Sequence, residues 1–526
     1  MNFRFKRKKK IKLKQNKNVF FLSPSLWPIF ELEISFIKEH FKRTDEIHLI
    51  NCEKSQNYCP ANNLQINNFK KTTAICNWCQ SRYESGISWL SNSKFKILKK
   101  SFVNLNNNQK LEIEKLNDFL KSKNKYDKNT SKFFKKYKIN YEELLQSSVS
   151  CEERLSSVNL NNYYYKKIVL ITNNILISYF SALNHLREIK PKKIYIFNGR
   201  DNTYRPIYLA AKRIVKKENI FVYEFPDVAY ESIKIVNKNY PHDLEHHSKE
   251  MFKNFKKVSS SIDKKKINIK GKKIIKNRMM QNFNTFVAWR PKQKIGILPD
   301  NFEKNKFNLS IFTSSEYEVR NIPENESKIS YDSQFKLIDR IASEIKNLKK
   351  DIEIYVRLHP SQINDLDIFK ELCKKYNFLK ILSPSSKVSS YTLGLESDLN
   401  IVFHSTIGLE LSALRSNVLI IGPTMYQDFK VSKIYFNINK LIKELKKYLV
   451  KNEVNIKTNQ DNAFQAMYAF EVYLKKLKFV KKNTFRVAKL FSKGKFTKLN
   501  ESLFYKYITY GIFSLRKTLK LINIKL

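Results

Sequence analysis

The segment IEIYVRLHP at residues 352–360 decides the fold of the second half of the chain. Apolar and polar residues alternate from Ile352 to Leu358, which is the period of a β-strand. Pro360 lacks the backbone N–H that would continue the ladder, so the strand ends there. His359 is therefore predicted to lie at the carboxyl end of a strand.

The alternation of strands and helices continues as far as Tyr426. The predicted elements are a helix at 364–376, a strand at 379–382, a helix at 389–396, a strand at 399–403, a helix that begins at Ile407 and a strand at 418–421. Such an alternation predicts a parallel sheet with helices on its faces. Ligands of these sheets bind at the carboxyl ends of the strands.

Polar residues suited to bind a nucleotide lie at those carboxyl ends. Ser405 and Thr406 open a helix, where hydroxyls and unpaired N–H groups favour a phosphate. Glu410 follows one turn later and can accept bonds from two sugar hydroxyls. Arg357 and His359 can neutralise a phosphate or donate to it. Taken singly, each residue has a simpler role: a helix cap, a turn residue or a solvated side chain.

Three motifs here resemble a known superfamily. RLHP at 357–360, STIGLE at 405–410 and VLIIG at 418–422 are similar to the carboxyl half of GT-B glycosyltransferases of bacterial capsule and surface-polysaccharide synthesis. More loosely, they resemble the His-Pro and Ser/Thr motifs of sialyl- and Kdo-transferases, which use CMP-sugars. The resemblance implies that His359, Ser405 and Thr406 hold the nucleotide phosphate and that Glu410 holds the ribose. His-Pro also occurs in glycerophosphotransferases of teichoic-acid synthesis and in related epimerases.

An earlier strand of the same domain carries a second set of polar residues. A strand is predicted at 309–312, and Ser314, Ser315 and Glu316 follow at its carboxyl end. The long polar loop that leads to residue 331 is of the kind that covers a donor. Asp332 is the predicted N-cap of a helix at 335–348. Ser314 and Ser315 join the predicted donor-binding residues.

The first half of the chain predicts a second α/β unit. It contains predicted strands at 19–24, 46–51, 193–197 and 220–224, and helices at 29–41, 163–189 and 205–215, with a polar helical stretch at 94–157. Asn198 and Arg200 follow the third strand and Glu224 closes the fourth. These residues resemble the acceptor domain of the same glycosyltransferases, which implies that Asn198 and Arg200 bind an anionic acceptor and that Glu224 takes its proton. Glu33, near the first strand, is the second candidate base; a turn or a solvated helix face are the alternatives.

Four cysteines form a Cys-rich segment, 52–79, after the second strand. They are Cys52, Cys59, Cys76 and Cys79. Four thiolates can bind a tetrahedral structural zinc. Reduced thiols with a packing role are an equal alternative, and a cytosolic setting disfavours a disulfide. Cys151 and Cys373 are expected only to pack.

A histidine pair with metal-like spacing lies at His242 and His246. The i, i+4 spacing suits a metal, but the general-base Glu of a zinc protease and a third ligand are missing. We interpret the pair as solvated or facing the acceptor.

The charge of the chain is strongly basic. The net charge is +51 over 526 residues, and most of it is lysine, in a composition rich in Asn and Ile that an AT-rich genome would also produce. A basic surface attracts anionic membranes, nucleic acids and phosphorylated lipids. No run of about 18 uncharged apolar residues predicts a membrane span, and the basic amino terminus lacks the apolar core of a signal peptide. We expect a cytoplasmic protein that can be peripheral on the inner face of the membrane.

The predicted fold is α/β, with two Rossmann-like domains of GT-B type and a basic helical C-terminal extension. The predicted divisions are a basic arm at 1–17, an acceptor domain at 18–257, a linker at 258–293, a nucleotide-sugar domain at 294–457, and helices with a basic tail at 458–526. The tail from 481 onward interleaves lysines with aromatic and aliphatic residues, a pattern that suits an anionic membrane as well as a packed helical pair.

The predicted function is transfer of a sugar from a nucleotide-sugar, with a CMP-sugar favoured, to a surface polysaccharide or lipid-linked glycan. Because Arg357, His359 and the helix start at Ser405 can stabilise the charge of the leaving nucleotide, catalysis is expected to need no metal cofactor. One alternative is a CDP-alcohol phosphotransferase that uses the same motifs. Another is a basic nucleic-acid-binding protein, but no zinc finger, RNP-like motif or helix-turn-helix supports it, so we expect no nucleic-acid partner.

Overall fold

The structure is a computed structural model of the chain. It describes residues 16–22, 29–56, 58–59, 73–91, 93–156, 158–224, 232–239, 242–280, 293–320, 322, 328–346, 348, 351–451, 453–482, 488–492 and 495–497. Most of the predicted basic arm and the end of the predicted tail, 498–526, lie outside these residues, and so does most of 281–293 in the predicted linker.

The first domain is built on a sheet of mostly parallel strands. Its strands are β1 (Asn16–Phe21), β2 (Asp45–Asn51), β3 (Lys96–Ser101), β4 (Lys193–Phe197), β5 (Ile220–Glu224) and β6 (Ser232–Asn237). Their order across the sheet is β6-β5-β4-β1-β2-β3, and β6 alone of these six runs antiparallel to its neighbour. The carboxyl ends of β4 and β5 therefore lie side by side.

The second domain is built on a sheet whose six strands are all parallel. They are β7 (Phe307–Phe312), β8 (Ile352–Arg357), β9 (Leu379–Leu382), β10 (Leu399–Phe403), β11 (Val418–Ile421) and β12 (Lys433–Tyr435). Their order is β12-β11-β10-β7-β8-β9. β7 thus lies between β10 and β8, so its carboxyl end separates the two motifs on which the sequence interpretation depends.

Helices cover both sheets. In the first half they are α1 (Ile29–His40), α2 (Thr73–Ser91), α3 (Asn107–Lys121), α4 (Ser131–Lys135), α5 (Tyr141–Glu153), α6 (Tyr165–Ile189), α7 (Tyr204–Ile214), α8 (Leu244–Ser259) and α9 (Lys264–Met279). In the second half they are α10 (Glu316–Val319), α11 (Gln334–Lys346), α12 (Leu366–Lys375), α13 (Ser390–Glu396), α14 (Ile407–Ala413), α15 (Ile438–Lys451) and α16 (Gln460–Tyr473).

The prediction of two Rossmann-like α/β domains is confirmed. Both faces of the second sheet are buried, as parallel sheets require. Ile354 and Val356 of β8 pack into the core on one face, whereas Tyr355 between them packs into the core on the other. A separate core fills the first domain. The strict alternation that predicted β8 therefore sends residues into two apolar layers, not into one layer and solvent.

The end of the chain returns to the first domain. After α16, strand β13 (Lys475–Lys476) pairs antiparallel with β6, so it extends the first sheet. A small antiparallel sheet follows, made of β14 (Val480–Lys482), β15 (Ala488–Ser492) and β16 (Lys495–Thr497). The predicted extension is therefore helical only as far as Tyr473, and the described part beyond that residue is made of strands.

Helices α9 and α16 pack unusually closely. A Cβ added at Gly271 of α9 would lie 2.1 Å from the carbonyl oxygen of Phe464 on α16, which only a glycine avoids. The described part of the stretch predicted as a poorly patterned linker is therefore largely a packed helix. Its many lysines obscured the buried positions Ile267, Gly271 and Ile275, whose spacing is helical.

Two strands and one helix cap differ from the sequence predictions. Strand β3, within the stretch predicted as helical, is a lysine-rich edge strand, and β6 was not predicted. Helix α3 lies within the same stretch, and Asn106 and Gln109 form a capping box at its start. At α11 the backbone N–H of Lys336 donates to the hydroxyl of Ser333 (3.1 Å), so Ser333 caps this turn in place of Asp332.

Direct hydrogen bonds join the two domains. The hydroxyl of Ser156, after α5, donates to Asp365 Oδ2 (2.5 Å), and its backbone N–H donates to Asp365 Oδ1 (3.3 Å). Asn364 Nδ2 donates to the carbonyl oxygen of Glu153 (2.7 Å). Since Asp365 lies just beyond β8, these bonds hold the first domain close to the carboxyl edge of the second sheet.

Candidate active site

The central feature of the site is a hydrogen-bond cluster that joins the ends of β7 and β8. Nδ1 of His359 lies 2.9 Å from the hydroxyl of Ser315 and 2.7 Å from that of Ser361. The two hydroxyls lie 2.6 Å apart. Both serines are buried, whereas His359 is partly exposed. The two hydroxyls therefore fix the orientation of the His359 ring through Nδ1.

The backbone of His359 is held as firmly as its ring. Its N–H lies 2.9 Å from the Thr313 hydroxyl and 3.1 Å from Gln362 Oε1. The Thr313 hydroxyl in turn donates to Gln362 Oε1 (2.5 Å). Thr313 and Gln362 are buried, and neither was singled out from the sequence. A polar residue directly after a buried strand was the available signal for Thr313.

Ser314 serves the internal structure of this edge. Gln334 Nε2 donates to the Ser314 hydroxyl (2.9 Å), and the Ser314 N–H donates to Gln334 Oε1 (3.0 Å). The carboxylate of Glu316 accepts bonds from the Gln334 N–H (3.0 Å) and from Arg320 Nε (3.1 Å). Burial raises the pKa of Glu316 to about 7. Ser314 is thus a buried residue that fastens the β7 end to α11, although it was predicted to bind the donor.

The end of β10 is pinned by a buried histidine. His404 has a φ of +46°. Its Nδ1 lies 2.8 Å from the carbonyl oxygen of Pro423, and its Nε2 lies 2.6 Å from the Tyr331 hydroxyl. Burial lowers the pKa of His404 to about 4, so the ring is neutral: Nδ1 donates and Nε2 accepts. A Cβ at Gly422 would lie 2.4 Å from His404 Cε1, so glycine is required beside the ring.

Ser405 and Thr406 follow His404 and are partly exposed. The Tyr426 hydroxyl donates to the carbonyl oxygen of Ser405 (2.8 Å), which fixes the backbone of the turn. Thr406 is the N-cap residue of α14, but its side chain makes no capping bond. The hydroxyls of Ser405 and Thr406 therefore lie at the same sheet edge as His359. The end of β7 separates these two hydroxyls from His359.

Arg357 does not lie among these groups. Its side chain is buried, and Nη1 and Nη2 donate to the carbonyl oxygens of Ser383 (2.9 Å) and Ser386 (3.3 Å). Burial lowers the pKa of Arg357 to about 10. The predicted phosphate contact of Arg357 is therefore replaced by a structural role, because the guanidinium satisfies the loop that follows β9.

Glu410 is also taken up by internal contacts. Its side chain is 0% exposed. Oε1 accepts a bond from Arg278 Nη1 on α9 (2.5 Å), and Oε2 accepts one from the Tyr391 hydroxyl. A ribose ligand would have to displace both partners. The structure therefore differs from the prediction: Glu410 attaches α9 to the second domain.

At the edge of the first sheet, Asn198 and Glu224 form a pair. Asn198 Nδ2 donates to Glu224 Oε2 (2.6 Å), and this oxygen lies 3.9 Å from His242 Nδ1. Asn198 and Gly199 have φ values of +52° and +73°, which turn the chain sharply after β4. Glu224 is partly exposed. Asn198 is thus a direct partner of the candidate base.

Arg200 links the two sheet edges. Nη1 donates to the carbonyl oxygen of Glu318 in α10 (3.0 Å), and Nη2 donates to Cys151 Sγ on α5. Its guanidinium is buried, so it joins the domains and is not presented to an acceptor as predicted. Cys151, expected only to pack, accepts from Arg200. This bridge brings the β4 end next to the segment that follows β7.

Glu33 lies inside the first domain. Its side chain is buried in α1, and the Tyr223 hydroxyl donates to Oε1 (2.6 Å). Glu31 is buried as well, and both of its oxygens lie 2.7 Å from Arg82 Nη2. A general base must reach an acceptor hydroxyl. The enclosed position of Glu33 therefore argues against its predicted role.

Burial dominates the electrostatics of two histidines near the start of α8. Burial lowers the pKa of His242 and His247 well below the ordinary value, and the positive charge of Lys234 adds to the effect for both; Arg200 also lowers that of His242. His246 points elsewhere, with Nε2 3.5 Å from Glu250 Oε1. The His242–His246 spacing therefore does not build a metal pair.

The four cysteines of the Cys-rich segment, all of which the structure describes, form no disulfide. The pKa of Cys79 is raised by burial and by Cys59, Cys76 and Cys52, while Arg82 opposes the shift. No group of three His, Cys, Asp or Glu side chains in the described ranges is arranged to hold a metal ion. The structural zinc stays a prediction. Over the same ranges no helix is long and apolar enough to cross a membrane.

No protein-family model matches the sequence, and no curated protein matches it. Among solved structures, the chain is similar to KpsC of Thermosulfurimonas dismutans, a beta Kdo 2,4 transferase, with 10% identity over 61% of this chain and 87% of that one and a TM-score of 0.36. The chain is also similar to KpsC of the same organism described as a beta Kdo 2,7 transferase. The identity is 11%, the match covers 64% of this chain and 89% of that one, and the TM-score is 0.33. For MurG of Acinetobacter baumannii the identity is 10%, the match covers 87% of this chain and 95% of that one, and the TM-score is 0.25.

The identities and TM-scores of these comparisons are low. Similarity at this level assigns no function to this chain.

Proposed function

We propose that this protein is a glycosyltransferase that moves a sugar from a nucleotide-sugar donor to a polysaccharide or lipid-linked glycan acceptor. The observation that carries the proposal is the cluster of His359, Ser315 and Ser361 at the carboxyl edge of a parallel sheet. Phosphate groups bind at such edges. The partly exposed hydroxyls of Ser405 and Thr406 at the same edge add further donors.

A second group supports transfer to an acceptor over simple nucleotide binding. Glu224 is a partly exposed carboxylate at the facing edge of the first domain, held by Asn198. The Arg200–Glu318 bridge keeps the two edges near each other. A donor on one edge and a base on the other are the two parts that a group transfer between separate substrates needs.

In the proposed reaction Glu224 takes the proton of an acceptor hydroxyl as that oxygen forms a bond to the anomeric carbon of the donor. The bond between that carbon and the phosphate oxygen breaks, and the nucleotide leaves with the electron pair. Donors at the β7, β8 and β10 ends stabilise the charge that develops on the phosphate. His359 is the leading candidate, and Arg357 is excluded because its guanidinium is held by loop carbonyls.

The donor is proposed to be a CMP-sugar, from the His-Pro and Ser-Thr resemblance, and the reaction is proposed to need no metal cofactor. A screen of CMP-, CDP-, UDP- and GDP-linked donors tests both points, with thermal unfolding as the binding measurement and nucleotide release as the activity measurement. Addition of EDTA should leave nucleotide release unchanged. Stabilisation by CDP-glycerol with release of CMP would instead support the phosphotransferase alternative.

The base is tested by Glu224→Gln. This variant should still be stabilised by the donor but should lose about 10²- to 10⁴-fold in transfer rate. Glu218→Gln is the matched control, because Glu218 is an exposed glutamate shortly before the same strand. Equal rates for the wild type and Glu224→Gln would exclude Glu224 as the base.

A further inference from the structure

Helix α9 has an inner face that is fully committed to the fold. Ile267, Gly271 and Ile275 are buried, and Gly271 lies against the backbone of α16. Arg278, one turn beyond, reaches Glu410. These contacts fix which side of α9 faces outward.

The outer face of α9 is a dense group of lysines. Six of them are exposed and form no ion pair with a carboxylate in the part of the chain that the structure describes: Lys265, Lys266, Lys270, Lys272, Lys273 and Lys276. Among the described residues, Lys264 alone of the helix's lysines has an acidic partner, Asp461 at 3.1 Å. Such a charge density on one helix is unfavourable in isolation and favours a negative partner.

Apolar side chains lie among the lysines. Ile269 is 66% exposed and Met280, directly after the helix, is 55% exposed. Positions 265, 269, 272, 276 and 280 follow helical spacing and therefore share one face. Lysines that flank exposed apolar side chains are the pattern of a helix that lies in a membrane interface. Nucleic acid would use the lysines but would gain little from these two side chains.

We propose that this outer face, made of the six lysines with Ile269 and Met280, docks on an anionic lipid surface. The lysines supply attraction to acidic headgroups, and the two apolar side chains enter the boundary between headgroups and acyl chains. The proposal goes beyond the proposed reaction and does not depend on it. Its structural consequence is that one helix contacts the membrane on its outer side and the second domain, through Glu410, on its inner side.

The test is sedimentation of the full chain with vesicles of phosphatidylcholine alone or mixed with phosphatidylglycerol. The first variant is Lys265→Gln/Lys272→Gln/Lys276→Gln. Its matched control is Lys110→Gln/Lys115→Gln/Lys132→Gln, which removes three exposed lysines from α3 and α4. A third variant, Ile269→Ser, keeps every charge. Far-ultraviolet circular dichroism establishes that each variant is folded.

Wild type should bind the anionic vesicles and not the neutral ones. The α9 triple variant should bind roughly a hundredfold more weakly, as expected for three lysines at an anionic surface, and the control should bind almost as wild type does. Ile269→Ser should bind vesicles severalfold more weakly and an RNA oligonucleotide unchanged. The proposal is overturned if the control loses as much as the α9 variant, if Ile269→Ser binds vesicles as wild type does, or if RNA binds and vesicles do not.

Discussion

Replacement of Arg278 by methionine should destabilise the protein strongly, because it would remove the positive charge that Arg278 places beside the buried carboxylate of Glu410. Arg278 Nη1 lies 2.5 Å from Glu410 Oε1, and the Glu410 side chain is 0% exposed. Breaking a buried ion pair from one side costs about 3–5 kcal/mol. The Tyr391 hydroxyl also donates to Glu410, but a neutral hydroxyl does not replace the positive charge of Arg278.

A double-mutant cycle separates the charge from the packing. Glu410→Gln keeps an oxygen near Arg278 and Tyr391 but removes the negative charge. The double variant Arg278→Met/Glu410→Gln leaves neither charge buried, so it should be more stable than Arg278→Met alone. We expect a coupling free energy of about 1–3 kcal/mol between the two positions.

The assay is equilibrium unfolding in urea, followed by circular dichroism. Arg415→Met is the control, because Arg415 is exposed and its Nε lies 3.2 Å from the neutral Gln460 Oε1. It should change the free energy of unfolding by less than about 0.5 kcal/mol. If Arg278→Met also changed it by less than about 1 kcal/mol, Glu410 would be a solvated group, open to bind ribose as the sequence suggested.

Three further predictions concern packing, pH dependence and activity. Gly271→Ala should destabilise the protein by at least about 2 kcal/mol in urea unfolding, since the new methyl would lie 2.1 Å from the Phe464 carbonyl oxygen; an unchanged midpoint would contradict the packing of α9 on α16. The pKa of Glu316 is raised by burial from 4.5 to about 7, so the folded state holds the proton more tightly and stability is lost as pH rises through this window. Glu316→Gln should therefore gain stability relative to wild type between pH 4.5 and 7, by up to about 3 kcal/mol, and a pH-independent difference would refute this. His359→Ala should lower the transfer rate about 10²- to 10³-fold, whereas His40→Ala, far along the chain in α1, should leave the rate unchanged.

The strands and helices of the second domain could be predicted closely from the sequence. The predicted strands 379–382, 399–403 and 418–421 coincide with β9, β10 and β11. Short apolar runs between turn residues mark buried parallel strands well. The lysine-rich edge strand β3 lacks that signal, and the inner face of α9 is obscured by the lysines around it.

The site was harder to predict than the secondary structure, because the sequence indicates where each strand ends but not the order of the strands in the sheet. With β7 between β8 and β10, the hydroxyl that meets His359 comes from Ser315, and Thr313 and Gln362 hold the backbone. Contacts with distant elements also decide whether a polar side chain can reach a ligand. Arg278 and Tyr391 enclose Glu410, and the loop after β9 takes up Arg357.

Hydrogen–deuterium exchange with and without saturating CMP tests the central claim most directly, namely that the ends of β7, β8 and β10 together bind the nucleotide phosphate. The account predicts that CMP slows exchange in peptides covering 313–316, 359–362 and 404–407, and that His359→Ala greatly reduces the effect. Protection confined to other segments, with these three unchanged at saturation, would contradict it.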